Sequence, residues 1–333
     1  LKEAHPKLRP VDTPTKGVYI AGAAESPKDV RESVTQASAA ASRASILLNK
    51  SRFAVEAITA VVDEALCKQC GVCAGVCPFG AIQWEKKQVA RVISAACAGC
   101  GTCAAECKFE AIMMRHFSDQ AIYAQIDAIL DQDAQDKIVT FACNWCSYAG
   151  ADTAGVSRMA YPPNARIIRT MCSGRVNPEF VWHAFQKGAP VVLVSGCHYV
   201  DCHYLDANRN TTRRMDGLWD GLEKAGVRPG RLMLEWCSAA EGARWQNTMI
   251  EVENRRQSVN SDELAQTQTA LAGIKTPSPR TSRPGDENTE VAFVCVRCGH
   301  QWRDRYSVNT ERTCPQCRSN SVRWMKGKVE ASQ

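Results

Sequence analysis

The chain has 333 residues, 18 of them cysteine, with 23% charged residues and a formal charge of +6. At roughly 150 residues per domain that length suggests two or three domains, and such a long chain is not a small secreted disulfide scaffold. No basic stretch leads into an apolar core at the start, and no run of about 18 apolar residues occurs, so neither secretion nor a membrane span is expected.

The thiols therefore read as reduced, in a cytoplasmic compartment. The positive charge suggests an anionic partner only until metals are counted. A four-thiolate iron-sulfur cluster or zinc site carries about −2 overall, and four such sites would bring the total to about −2. The Lys and Arg residues then read as solvated surface, and no affinity for nucleic acid follows from composition.

Residues 1–55 contain "RPVDTPTKGVYIAGAAESPKDVRESVTQASAAASRASILL", which predicts a turn, a short strand VYIAG and an Ala/Ser-rich helix. One strand and one helix cannot bury both apolar faces. Because the first residue is Leu1, this piece reads as the end of a larger domain that begins outside the chain.

Residues 60–117 repeat at a period of 30: "CKQCGVCAGVCPFGAI" from Cys67 and "CAGCGTCAAECKFEAI" from Cys97. Each run has the spacing C-x2-C-x2-C-x3-C, with Pro78 after the first and Lys108 in its place after the second. Small residues between the thiols let a short loop wrap a cubane, and the fourth cysteine of each run serves the other cluster. One 4Fe-4S cluster then takes Cys67, Cys70, Cys73 and Cys107, and a second takes Cys97, Cys100, Cys103 and Cys77. A connecting helix over 118–137 is predicted from the cap Ser118 and from Ile122, Ile126, Ile129 and Leu130 at helical spacing.

From 138 to 256 the strands KIVTFA, ARIIRT, PVVLVS and RLMLEW alternate with helical stretches such as "NPEFVWHAFQKG", the pattern of an open parallel α/β sheet. Cys143, Cys172, Cys197 and Cys237 stand at or just past strand ends, with Cys146 and Cys202 further into the same loops. That sheet edge collects ligands. Six sulfurs there point to a metal cluster more than to one thiol nucleophile. His198 and His203, in "GCHYVDCHY", read as loop histidines bonding to sulfur or to Asp201. Residues 257–290 are polar and read as a linker.

In 291–325 the spacing Cys295-x2-Cys298-x15-Cys314-x2-Cys317 predicts a small zinc ribbon, with a single iron as the alternative because the spacing is near that of rubredoxins. The chain is thus expected to be multidomain, α/β and α+β: a bacterial-type two-cluster ferredoxin, an open parallel-sheet domain and a ribbon.

The repeat of 60–117 resembles bacterial-type ferredoxins. "FACNWCSYAGADTAGVSRMAYPPNARIIRTMCSGRVNPEFV", "SGCHYVDCHYLDANRNTTRR" and "LEWCSAAEG" resemble the delta subunit of methyl viologen-reducing hydrogenase, a 2Fe-2S protein. The N-terminal piece running into the ferredoxin resembles the end of the A-type polypeptide of heterodisulfide reductase. The resemblance implies a 2Fe-2S cluster on Cys172, Cys197 and Cys202 with one or both of Cys143 and Cys146, and ranks Cys237 last. It also implies that residues 18–41, with Gly22 near the phosphates, close over an FAD only together with a partner polypeptide, because GxGxxG is absent from the sequence.

The expected role is an electron-transfer subunit of a heterodisulfide reductase-type complex, without catalytic residues of its own. Its expected partners are an A-type flavoprotein and a hydrogenase or formate-type dehydrogenase subunit. The rivals are a thiol-disulfide enzyme using Cys197 or Cys202 and a cluster-containing regulator whose ribbon binds nucleic acid.

Overall fold

The structure is a computed structural model that describes residues 3–4, 9–13, 17–51, 57–276 and 287–325. Residues 14–16 of the expected N-terminal turn and 277–286 of the expected linker lie outside the described residues. No helix among the described residues is long and apolar enough to cross a membrane.

The first helix, α1 (Val30–Leu48), begins with a capping box in which Asp29 and Glu32 satisfy each other's backbone amides. It buries none of its residues. VYIAG differs from the expected strand: only an isolated bridge pairs Tyr19 with Asp12, followed by a 3-10 turn at Gly22–Ala24. β-branched and aromatic residues favour extended backbone, but a strand needs a neighbouring ladder, and the described residues supply one bridge.

The two ferredoxin repeats fold as pseudo-symmetric halves. Strands β1 (Ala60–Val62), β2 (Ile82–Gln83), β3 (Arg91–Val92) and β4 (Ile112–Met114) pair antiparallel as β1 with β4 and β2 with β3. Each half therefore lends a strand to the other half's sheet. Between them lie the short helices α2 (Val72–Gly75) and α3 (Thr102–Glu106), entered through Gly71 and Gly101 at φ of 72° and 79°. Those left-handed positions need glycine, because an L side chain there is strained.

Helix α4 (Asp119–Leu130), capped by Ser118, buries Ile122, Ile126 and Leu130 against the next domain. That domain is a parallel sheet of β5 (Ile138–Cys143), β6 (Ala165–Thr170), β7 (Val191–Gly196) and β8 (Leu232–Trp236) in the order β6-β5-β7-β8. The helices α5 (Ser147–Val156), α6 (Pro178–Gln186), α7 (Ala207–Lys224) and α8 (Gly242–Gln257) connect and follow the strands. One sheet face packs on α4, α6 and α7 through Phe141, Phe180, Trp219 and Leu234, and the other on α5 and α8 through Ala154, Trp245 and Met249. Burial on both faces explains why β5, β7 and β8 are apolar almost throughout.

Residues expected to be linker instead form α9 (Ser261–Leu271), capped by Asn260 and seated on α6 through Leu271. Gln186 and buried Arg231 bind it through Leu271 O and Thr267. A helix with two buried positions shows too narrow an apolar stripe to be read from its sequence.

The C-terminal unit is a three-stranded antiparallel sheet, β9 (Glu290–Cys295), β10 (Gln301–Arg305) and β11 (Val322–Trp324), in the order β10-β9-β11.

Candidate iron-sulfur and metal centres

Each ferredoxin centre mixes residues from both repeats. One apolar space is lined by Cys67, Cys70, Cys73 and Cys107, the other by Cys77, Cys97, Cys100 and Cys103. The cross-assignment of Cys77 and Cys107 follows from the strand exchange, which carries each run's fourth cysteine toward the opposite half. Ala60 N and Ala81 N donate to Cys97 and Cys77 sulfur at 3.5 and 3.4 Å. Burial pushes the Cys73 and Cys100 thiols up to about 11 and Cys103 well above the ordinary range. Without iron to hold them as thiolates these groups stay protonated and are poor nucleophiles.

In the parallel sheet the chain leaves β5 toward β6 and returns across to β7. The point where the connections diverge is therefore between β5 and β7, at their carboxyl ends. Cys143 closes β5 and Cys197 follows β7, with their sulfurs 3.5 Å apart. Cys146, Cys172 and Cys202 join them in one buried cluster. Cys146 N donates to Cys143 sulfur and Gly174 N to Cys172 sulfur, at 3.4 and 3.3 Å. Crowding splits the thiols: donors from Cys146 and Cys197 hold Cys143 well below its usual range, and those from Cys172 and Cys197 hold Cys202 down at about 3. Cys146 and Cys172 are pushed up by their neighbours. Buried sulfurs sharing protons at close range form a ready donor set for a soft cation.

Cys237 stands at the fourth strand end and is turned away. It packs with Ala151, Ala154 and Trp245 on the far face, its sulfur bonding Ser238 O and Glu241 O at 3.5 and 3.6 Å. The sequence placed four cysteines at strand ends and two in the loops beyond, and the structure brings five of the six together.

Contrary to expectation, the ring of His198 turns to two carboxylates rather than to sulfur or Asp201. Its Nδ1 faces Glu311 at 2.9 Å and its Nε2 faces Glu241 at 2.8 Å. With both nitrogens engaged by carboxylates, His198 has none left for a metal. His203 stacks on Trp145 at 3.7 Å between centroids, and burial holds its pKa below the ordinary value. Asn208, at the start of α7, donates to Cys197 O and His198 O, both at 3.0 Å, and so shapes the loop from the helix side. Glu311 and Asn208 could not be singled out in the sequence, since they stand in unremarkable polar stretches.

The C-terminal unit brings Cys295, Cys298, Cys314 and Cys317 together with all four sulfurs within 4.8 Å of one another. Two of the distances, Cys295 to Cys317 and Cys298 to Cys314, are 3.6 and 3.7 Å. Ligands about 2.3 Å from a tetrahedral zinc lie about 3.8 Å apart, so these spacings fit such an ion. Each knuckle turns through a positive φ, at Gly299 (77°) and Arg318 (61°).

Gly22 is buried at a φ of 63°, and its N–H already donates to the Gln36 side chain at 2.7 Å.

Comparison with known proteins follows these boundaries. Residues 138–259 match the family described as methyl-viologen-reducing hydrogenase, delta subunit, and residues 60–83 match the 4Fe-4S binding domain. The D-type iron-sulfur polypeptide of the F420-non-reducing hydrogenase vhc of Methanococcus voltae is 52% identical over 118 residues, 35% of this chain and 82% of that protein. The chain belongs to the hydrogenase delta-subunit family. To the delta-subunit domain it joins a 4Fe-4S ferredoxin domain, and longer relatives match the chain over different shares. The A-type polypeptide of the ferredoxin:CoB-CoM heterodisulfide reductase of Methanosarcina mazei is 49% identical over 249 residues, 74% of this chain. That of the H(2):CoB-CoM heterodisulfide,ferredoxin reductase of Methanothermobacter thermautotrophicus is 56% identical over 135 residues, 40% of this chain. The chain spans only 31% and 20% of the length of these two A-type polypeptides.

Proposed function

We propose that this chain is an iron-sulfur electron-transfer subunit of a heterodisulfide reductase-type complex. One observation carries the reading: Cys100 of the second ferredoxin loop and the five cysteines of the delta-subunit domain belong to a single buried cluster, bridged by Tyr204, Ala207, Phe79 and Ala98. Phe79 and Tyr204 meet edge to face at 6.3 Å. Two cysteine-rich loops that share one dry core suit passage of electrons between their centres, and suit a thiol enzyme badly because the neighbouring His198 is engaged by two carboxylates and His203 is stacked on Trp145.

In this reading Cys67, Cys70, Cys73 and Cys107 hold one 4Fe-4S cluster and Cys97, Cys100, Cys103 and Cys77 the other. Cys172, Cys197 and Cys202, with one or both of Cys143 and Cys146, hold a 2Fe-2S cluster. When bound, these clusters supply one-electron redox chemistry. Cys295, Cys298, Cys314 and Cys317 hold zinc in a ribbon whose closed site is structural. The domain limits at 60–117, 138–256 and 291–325 enclose these four centres. Flavin belongs to an A-type partner polypeptide, because the Gly22 amide is held by Gln36 and the described residues hold no complete dinucleotide fold. A hydrogenase or formate-type dehydrogenase subunit is the second partner. Eighteen free cysteines suit a reducing cytoplasm.

Metal analysis of the anaerobically purified chain tests the reading. About ten iron atoms and about one zinc per chain are expected, four from each cubane and two from the delta-subunit domain. Only eight irons, with full ferredoxin signals, would remove the 2Fe-2S centre.

A further inference from the structure

The second ferredoxin loop and the Cys172 loop meet through a pair of glycines. A Cβ added to Gly101 would lie 2.3 Å from Arg175 Cδ, and one added to Gly174 would lie 2.3 Å from Thr102 Oγ1. Each loop thus omits a side chain where the other presses on it. Arg175 lies on the Gly101 backbone, next in sequence to Cys100.

Thirty residues earlier the pseudo-symmetric Gly71 is covered differently. There a Cβ would meet the Trp84 ring at 2.8 Å, and Trp84 is 36% exposed with its Nε1 donating to Gln69 O. One repeat therefore carries a neutral indole at the surface and the other a guanidinium that is 1% exposed and comes from the neighbouring domain.

Only part of that guanidinium is satisfied. Nη2 donates to Phe117 O at 3.3 Å and pairs with Asp119, and the group lies over the Phe180 ring at 5.1 Å. Nε and Nη1 are buried with no hydrogen-bond partner among the described residues. Leaving charged N–H groups unsatisfied in a dry interior is costly, so residues in this state mark the place of an acceptor. The other charges at this joint, Glu106 of α3 and Arg214 of α7, neutralise each other at 2.6 Å.

We propose that Arg175 is a positioning and potential-setting residue for the cubane held by Cys77, Cys97, Cys100 and Cys103, and that it makes this cubane the easier of the two to reduce. The inference rests on the two-cubane reading above. A reduced cluster carries one more negative charge than its oxidised form, and a cation in a low-dielectric joint stabilises the reduced form more. Nε and Nη1, which have no partner among the described residues, would add to this effect wherever they donate toward the bound cluster. Over the loop of the first cubane stands Trp84, in place of such a buried cation.

Potentiometric titration of the full-length chain, followed by electron paramagnetic resonance, tests this. Metal analysis of the wild type comes first, since fewer than about eight cubane irons would fail the two-cubane reading rather than the role of Arg175. Arg175→Gln should lower the midpoint of one cubane by at least tenfold in its reduction equilibrium, about 59 mV for one electron, and leave the other in place. The affected signal should be the one that survives Cys70→Ser. Arg175→Lys should restore most of the shift. Asp119→Asn leaves the guanidinium without its counter-charge and should move the same midpoint upward. If Arg175→Gln loses iron, Asp119→Asn decides the question alone. Unchanged midpoints, equal shifts of both cubanes, or a downward shift in Asp119→Asn would overturn the proposal.

Discussion

Arg312 joins the C-terminal unit to the delta-subunit domain, and its removal should undock that unit. Nη1 donates to both carboxylate oxygens of Asp216 on α7, at 2.8 and 2.9 Å, with side-chain exposures of 9% and 6%. The guanidinium also lies over Phe293 and Tyr306 at 5.7 and 5.9 Å. Breaking a buried pair by deleting one partner costs about 3–5 kcal/mol, most of it from the charge left behind. Arg312→Met keeps the stem packed and takes the guanidinium away from Asp216, so docking should weaken by about that amount. The amides of Leu234 and Trp236 report docking directly, because they donate to Ser321 and Asn320 of the C-terminal unit. Their hydrogen-exchange protection should fall at least about a hundredfold, in line with about 1.4 kcal/mol per decade. The double variant Arg312→Met with Asp216→Leu should recover most of the loss, since a well-packed apolar pair replaces a buried ion pair at little cost. A fall of less than threefold in the single variant, or no recovery in the double, would refute the argument.

Cys237→Val should leave the delta-subunit paramagnetic signal intact, whereas Cys202→Ala should abolish or strongly alter it; the reverse outcome would return Cys237 to the cluster. Glu235 is buried among Ser319, Asn320 and Ser321, and desolvation raises its pKa above the ordinary carboxylate value. The unfolded chain releases this proton first, near pH 4.3 or so, and the stability linked to it is lost as pH rises through the folded value. Glu235→Gln should therefore flatten the decline in denaturant midpoint as pH rises above the free-carboxylate value, and parallel curves would count against the burial argument. Residues 30–48 should exchange readily in the isolated chain and become protected on binding an A-type flavoprotein fragment, because α1 buries no residue and exposes Val30 and Val34 by 82% and 61%. Strong protection without a partner would mean that α1 is a strut of this chain.

Much of the architecture was legible because local pattern and tertiary role agree. ARIIRT is β6 residue for residue, and KIVTFA, PVVLVS and RLMLEW fall within one residue of β5, β7 and β8. Both-face burial makes such strands continuous apolar runs, which are hard to misread. The period of 30 disclosed the pseudo-symmetric ferredoxin. VYIAG misled because propensity describes a residue's preference and a ladder requires a partner. Helix α9 was missed because its fixing contacts, Gln186 to Leu271 O and Arg231 to Thr267, span 85 and 36 residues. The roles of Arg175 and Glu311 are invisible for the same reason: each acts on an element from another part of the chain.

The placement of the C-terminal unit follows from an exposed edge. In the order β6-β5-β7-β8, strand β8 ends the sheet and presents unpaired amides on its outer side, a state that proteins cover or blunt. Leu234 N and Trp236 N meet Ser321 Oγ at 2.9 Å and Asn320 Oδ1 at 3.1 Å, and the Ser319 hydroxyl donates to Glu235 between them. Three consecutive side chains thus take the place of a fifth strand. They can do so because the Cys314–Cys317 knuckle turns the chain at Arg318, with its φ of 61°, directly into Ser319. On the other side of the same knuckle Glu311 accepts from Tyr199 N at 3.0 Å and faces His198, holding the loop between Cys197 and Cys202. The corner that gathers four sulfurs therefore also seals the sheet edge and braces the loop of the five-cysteine pocket. On the opposite side the unit keeps strand β10 and Cys298 of its first knuckle at the surface.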